Sequence, residues 1–232
     1  MRKEAFTVGD YIHVYNRGNR KMPITQDDND KWRFLKILRY FNDEYSLSNI
    51  FRQVKNNTFS RPAEWPVPKP LVKILSFCLM PNHFHLLLKE IKEGGVSMFM
   101  KKLSGGFTNY INTKYKESGK VFQGSYKSKT IKNDEYIQYL DAYIQVLNPI
   151  ELYPGGTEAA VKQFDKAFDF ATNYSFSSLQ DTLLKRNLFI IDEGDRNSLG
   201  LSSGNNKSYK EFIYNALLVR NTKEILGKLS ID

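Results

Sequence analysis

Apolar and polar positions alternate with a period of two at Tyr11-Ile12-His13-Val14-Tyr15, and Asn16-Arg17-Gly18-Asn19 follows with turn chemistry. This alternation predicts a half-buried strand. The period then lengthens. Trp32, Phe34, Leu35, Leu38 and Phe41 recur at helical spacing behind Asp27-Asp28-Asn29-Asp30. Acids at that end complement the helix dipole, so a helix over about 28–42 is expected. Ile50 to Val54 reads as a short strand, and Pro62, Pro66, Pro68 and Pro70 make 43–70 an irregular insert. Two apolar runs, Ile74 to Met80 and Leu86 to Leu88, flank Pro81-Asn82 and predict a strand, a tight turn and a second strand.

Beyond Gly94-Gly95, the spacing of Val96, Phe99, Met100, Leu103, Phe107, Tyr110 and Ile111 predicts a helix to about 116. Gly105-Gly106 lies inside it, which implies either a kink or a close backbone approach by a partner. Tyr126 to Ile131 reads as a strand with lysines on one face. Asn133-Asp134-Glu135 caps a helix carrying Tyr136, Tyr139, Leu140, Tyr143, Ile144 and Leu147, which Asn148-Pro149 stops. Tyr136 and Tyr139 are expected in the core. The element order is that of an α+β, ferredoxin-like fold, an antiparallel sheet with helices on one face. It fills a first domain, 1–153. Residues 154–232 form a small, mostly helical C-terminal appendage, with helices at about 157–171 and from about 208 and a polar loop at 192–208.

Charge changes the picture from fold to partner. The chain is +9 overall, yet 151–232 hold 10 basic and 11 acidic residues, leaving 24 basic against 14 acidic in 1–150. Between Lys101 and Lys132 there are eight lysines and one acid, Glu117, interleaved with Phe107, Tyr110, Tyr115, Phe122 and Tyr126. Basic surface attracts phosphates and aromatic faces stack unpaired bases, so nucleic acid is the expected partner. No apolar run is long enough for a membrane span, and Met1 to Phe6 lack a signal-peptide core. The single Cys78 sits in an apolar run, which reads as a buried thiol and excludes a disulfide framework. A cytoplasmic, nucleoid-associated protein is expected.

Two of the three histidines, His83 and His85, stand one residue apart on the second central strand. They share a face while Phe84 points to the other. Alone, the pair is equally a solvated strand face and half a metal site. His13 reads as a polar neighbour of that strand or as a phosphate contact. The rest of the chain lacks the second histidine motif of a paired-motif phosphoesterase, the additional ligands of a cupin and the helical i, i+4 pair of a zinc protease. Two histidines plus an oxygen ligand, beside basic surface and a tyrosine-bearing helix, suit metal-assisted phosphoryl chemistry with tyrosine as nucleophile.

These residues carry a resemblance. Tyr15-Asn16-Arg17-Gly18, Cys78 to Leu87 around Pro81-Asn82-His83-Phe84-His85, Phe122-Gln123-Gly124, Asp134-Glu135-Tyr136 through Tyr143-Ile144 to Asn148-Pro149, and Tyr174 to Ser178 are similar to single-tyrosine HUH transposases of insertion-sequence elements, above all the REP-associated tyrosine branch. The resemblance implies that His83, His85 and Asn148 hold a divalent metal, Mg²⁺ or Mn²⁺. Tyr143 is then the nucleophile that cleaves and rejoins single-stranded, hairpin-forming DNA through a 5′-phosphotyrosine link. Arg17, Lys101, Lys102, Lys120, Gln123, Lys127 and Lys129 are the candidate DNA contacts, and a homodimer is possible within this family. The alternative is a derived protein that grips DNA or RNA hairpins without cutting. One departure stands out. The family spaces its tyrosine and asparagine four apart, and here Tyr143 and Asn148 are five apart. A one-residue bulge, unwinding before Pro149, or replacement of Asn148 by Gln145 would each accommodate the extra residue.

Overall fold

The computed structural model describes residues 5–45, 50–53, 59–201 and 207–229. Four strands, β1 (Tyr11–Arg17), β2 (Val72–Leu79), β3 (His83–Glu90) and β4 (Lys127–Ile131), form one antiparallel sheet in the order β2-β3-β1-β4. Helix α1 (Asp28–Phe41) starts on a capping box, in which the Asp27 side chain accepts from the Asp30 backbone and the Asp30 side chain returns the bond. The stretch Ile50–Gln53 is a single helical turn, α2, and not the expected strand; Val54 lies outside the described residues. Helix α3 (Gly95–Tyr115) runs unbroken through both glycines.

Helices α1 and α3 cover one face of the sheet. Ile12 and Val14 of β1, Phe84, Leu86 and Leu88 of β3, Phe34 and Leu38 of α1, and Phe99, Leu103 and Phe107 of α3 make that core. Gly106 is part of its geometry. A Cβ there would come within 2.2 Å of the Phe41 ring, so only glycine lets α1 and α3 pack this closely. Gly106→Ala is expected to cost about 1–3 kcal/mol by overpacking, measured by urea unfolding.

The α+β, ferredoxin-like plan is present with α1 and α3 on the expected face. The opposite face is also covered, which the sequence reading left open to solvent. Helix α4 (Asp134–Ala142), a π-helical turn (Tyr143–Leu147) and the short α5 (Asn148–Ile150) lie across it. Leu75, Cys78 and Met80 of the β2 strand and its exit pack there with Leu87 of β3 and with Ile137, Leu140 and Ile144. A register shift between Ile74 and Ser76 turns Leu75 and Cys78 to this side while Ile74 and Phe77 stay on the first.

The C-terminal residues pack against this second layer. The expected helix at 157–171 is two, α6 (Gly156–Lys162) and α7 (Phe164–Thr172). Then come α8 (Leu179–Leu183), α9 (Glu193–Ser198) within the expected polar loop, and α10 (Lys207–Leu229). Ala167, Phe168 and Leu179 join Ile213 and Leu217 of α10 around Val146, Leu147 and Ile150. Arg196 of α9 is buried and bridges Asp141 of α4 at 2.6 Å while donating to the Leu75 and Leu201 carbonyls. Tyr136 is a correction. It is exposed in the first turn of α4, with the Lys129 ammonium of the edge strand β4 4.9 Å over its ring. Tyr139 is partly buried against the C-terminal cluster. Among the described residues no helix is long and apolar enough to cross a membrane.

Candidate active site

Strand alternation places all three histidines on the sheet face that carries α4. In the β1–β3 register, Tyr15 stands opposite His85 and Arg17 opposite His83. The His83 and His85 rings meet edge to face at 5.1 Å. His83 Nδ1 lies 2.7 Å from Asn82 Oδ1, and His85 Nδ1 lies 2.8 Å from His13 Nε2. Both rings of the pair therefore have Nδ1 engaged, which leaves Nε2 as the position at which each can bind a metal. A ligating histidine commonly donates its other ring N–H in this way, fixing tautomer and ring orientation. His13 was expected as a polar neighbour or a phosphate contact, and its partner is His85.

Burial keeps the three rings neutral. It lowers His13 to about 4, with Lys129 adding to the effect. It takes His85 well below the usual histidine range, helped by His13, His83 and Arg220. It also lowers His83, where Glu151 opposes the shift and Arg220 adds to it. Neutral imidazoles keep the lone pair that a metal needs. Cys78 of β2 stands opposite His85 in the sheet, buried, and its thiol is pushed well up by desolvation, so it stays an inert packing group.

Tyr143 reaches the histidines from α4's end. Its ring meets His85 edge-on at 5.4 Å and His13 at 6.4 Å. The five-residue spacing to Asn148 is taken up by a bulge. The Asn148 N–H bonds the Tyr143 carbonyl, an i→i−5 bond that closes one π turn. Five residues then span about one turn, where a regular helix at about 100° per residue would set the two side chains about 140° apart. Gln145 is spent elsewhere. Its side-chain nitrogen donates to Asp141 at 2.7 Å and its oxygen accepts from Ser178 and Thr182, both at 3.3 Å. Asn148 is fully buried. Its amide nitrogen lies 3.4 Å from the Ile144 carbonyl, and its oxygen has no partner among the described residues. A buried amide oxygen left alone costs about 1–3 kcal/mol, so an absent oxygen-binding group fits there.

Among the described residues no three His, Cys, Asp or Glu side chains cluster as a metal cage. His83, His85 and Asn148, the ligands that the resemblance implies, offer two imidazole nitrogens and one buried amide oxygen.

Two groups that the sequence did not single out complete the surroundings. Arg220 of α10 lies over the Tyr143 ring at 5.4 Å and pairs with Glu151, which follows α5. Burial raises the Tyr143 phenol above its ordinary value, and the Arg220 cation works against that rise.

A cavity of about 710 Å³ opens beside His83, with Arg17, Lys21, Asn82, Gln123, Lys127 and Glu151 among its lining residues. The Arg17 guanidinium donates to the Gln123 side-chain oxygen, and Asn16 donates to the Gly124 carbonyl at 3.0 Å, so the 119–125 loop is pinned to the end of β1. Of the candidate DNA contacts, Arg17, Gln123 and Lys127 line this cavity, and Lys120 lines a neighbouring groove. Lys101 is exposed away from both. Lys129 stacks on Tyr136, and Lys102 is occupied by the carbonyls of Asp43, Glu44 and Tyr45. The signal for His13 was available in the sequence, since period-two alternation on β1 puts it on the His85 face. Arg220 had none.

No curated protein matches the chain. A solved REP-associated tyrosine transposase bound to a REP hairpin is similar at 15% identity, over 81% of this chain and 86% of that one, with a TM-score of 0.49. The family model described as transposase, IS200-like, matches residues 67–146, a span that includes His83, His85 and Tyr143 and stops short of Asn148. Those residues run from the start of β2 into the tyrosine-bearing helix, and over them the chain is similar to the IS200-like transposases.

Proposed function

We propose that this protein cleaves and rejoins single-stranded DNA, with Tyr143 as nucleophile and His83, His85 and Asn148 as ligands of a divalent metal. The observation that carries the reading is the edge-on approach of Tyr143 to His85, beside two imidazoles whose Nδ1 atoms are both engaged. The Tyr143 hydroxyl oxygen attacks the scissile phosphorus and its proton passes to solvent. The bond from phosphorus to the 3′ oxygen breaks, and that oxygen takes up a proton. The products are a 5′-phosphotyrosine link and a free 3′-OH. Attack by another 3′-OH on the link reverses the step, so strand transfer conserves the phosphodiester energy and needs no nucleotide cofactor. A bound Mg²⁺ or Mn²⁺ would supply Lewis-acid polarisation of the phosphate. Arg17 and Lys127 at the cavity wall neutralise the strand, and Gln123 holds the Arg17 fork in place.

The test is an SDS-stable protein–DNA adduct, formed with hairpin DNA carrying single-stranded flanks in the presence of Mn²⁺. Salt-sensitive hairpin binding with no adduct under any metal would support the non-cleaving alternative instead.

The metal is checked separately by melting. Mn²⁺ at about 100 times its dissociation constant adds about 2.7 kcal/mol, which moves the midpoint by about 5–10 °C for a chain of this size. His85→Ala is expected to abolish that shift. A full shift in the variant would remove His85 from the ligand set.

A further inference from the structure

A second groove, of about 600 Å³, runs between α3 and the 119–125 loop and shares Gly124 and Ser125 with the cavity beside His83. Thr108, Asn109, Asn112 and Lys120 line it together with Gly105. Asn112 donates to the Gly119 carbonyl at 3.1 Å and so fixes the loop that forms the far wall.

The two adjacent glycines of α3 differ in an informative way. Glycine weakens a helix interior wherever it stands. Gly106 is explained by the Phe41 ring that a Cβ would meet at 2.2 Å. Gly105 has no such explanation. A Cβ there would have nothing within 4 Å, and the residue is exposed on the groove floor. The chain's own packing gives no reason for a bare backbone at this point, whereas a ligand that must lie directly against the helix does.

Charge and continuity select the ligand. The groove lining contains no acid, Lys120 stands on its wall, and Lys127 and Arg17 stand on the wall of the adjoining cavity. Uncharged hydrogen-bonding side chains within a cationic surround match a sugar–phosphate backbone, and the groove leads into the cavity where the scissile phosphate would sit. We propose that this groove is the track of the DNA single strand leading away from the cleavage point, with Gly105 admitting the backbone and Thr108, Asn109 and Lys120 holding it. The proposal rests on the reading of the protein as acting on single-stranded DNA.

The experiment uses the full chain, a fluorescein-labelled oligo(dT) probe, and a blunt DNA hairpin for comparison, read by anisotropy. Gly105→Leu puts a strong helix former into open space. It is expected to raise the melting midpoint by about 2–4 °C and yet to weaken oligo(dT) binding by about tenfold, the effect of losing one good contact. Asn109→Asp, nearly isosteric, is expected to weaken the same probe by charge repulsion and to leave the blunt hairpin within about twofold of wild type, a difference too small to count as a lost contact. If both variants bind oligo(dT) as tightly as wild type, the groove is not the track, although the wild-type binding would still support the DNA reading. If wild type binds neither probe, that reading fails as well.

Discussion

Tyr143→Phe is expected to abolish the covalent DNA adduct while leaving the fold and DNA binding in place. Removing only a hydroxyl keeps the ring, so its edge contacts to His85 and His13 and its stacking under Arg220 persist. Loss of a nucleophile typically lowers turnover by 10⁴-fold or more, so the adduct should fall below detection at any practical time. Tyr139→Phe supplies the contrast. Tyr139 is partly buried against the C-terminal cluster, and its ring stacks with Tyr136 at 6.2 Å, not with a histidine. Its variant is expected to form adduct at near wild-type rates. An adduct that survives in Tyr143→Phe and vanishes in Tyr139→Phe would move the nucleophile by one helical turn and overturn the assignment.

Arg196→Ala is expected to be the most destabilising of these substitutions. The guanidinium is buried and satisfied by the Asp141 carboxylate and by the Leu75 and Leu201 carbonyls. Truncation leaves Asp141 buried with Gln145 as its remaining described partner. Breaking one side of a buried pair costs about 3–5 kcal/mol, against a total stability of about 5–15 kcal/mol. For a chain of this length the thermal midpoint should drop by roughly 6–20 °C, which calorimetry would show. The same pair steadies the site. Asp141 also binds Gln145, which lies inside the π turn, so the variant should lose adduct formation even at temperatures where it stays folded. A variant with unchanged melting would show that the bridge is not a structural clamp.

Much of this was legible in the sequence because the periods are clean. Alternation at Tyr11 to Tyr15 and the helical spacing of Trp32 to Phe41 each had one apolar face, so their elements and orientations followed. The histidine pair was legible for the same reason: strand geometry alone puts His83 and His85 on one side. The α4 layer across the second face was less so, although the signal existed. The runs Ile74 to Met80 and Leu86 to Leu88 are apolar at consecutive positions, which is what strands covered on both faces require. The π turn was visible only as one residue too many between Tyr143 and Asn148, and local patterns do not distinguish a bulge from an unwound end. What selects the bulge is tertiary: Gln145 is held by Asp141, Ser178 and Thr182 at fixed points on other elements. Arg220 could not be read at all, because its relation to Tyr143 depends on how α10 docks.

The outer rim of β2 is already occupied. Leu79 donates to the Phe176 carbonyl at 2.9 Å, Ser178 to the Phe77 carbonyl at 2.9 Å and Asp192 to the Ile74 carbonyl at 2.8 Å, so residues 174–192 sit where a fifth strand would add. The opposite rim, β4, is five residues long and carries the exposed Lys127 and Lys129. Two copies that tried to zip their sheets together through β4 would bring these lysines against each other. The sheet is thus built against edge-to-edge aggregation: one margin is blocked by the chain itself and the other is short and charged, as soluble β proteins require of a margin they leave bare.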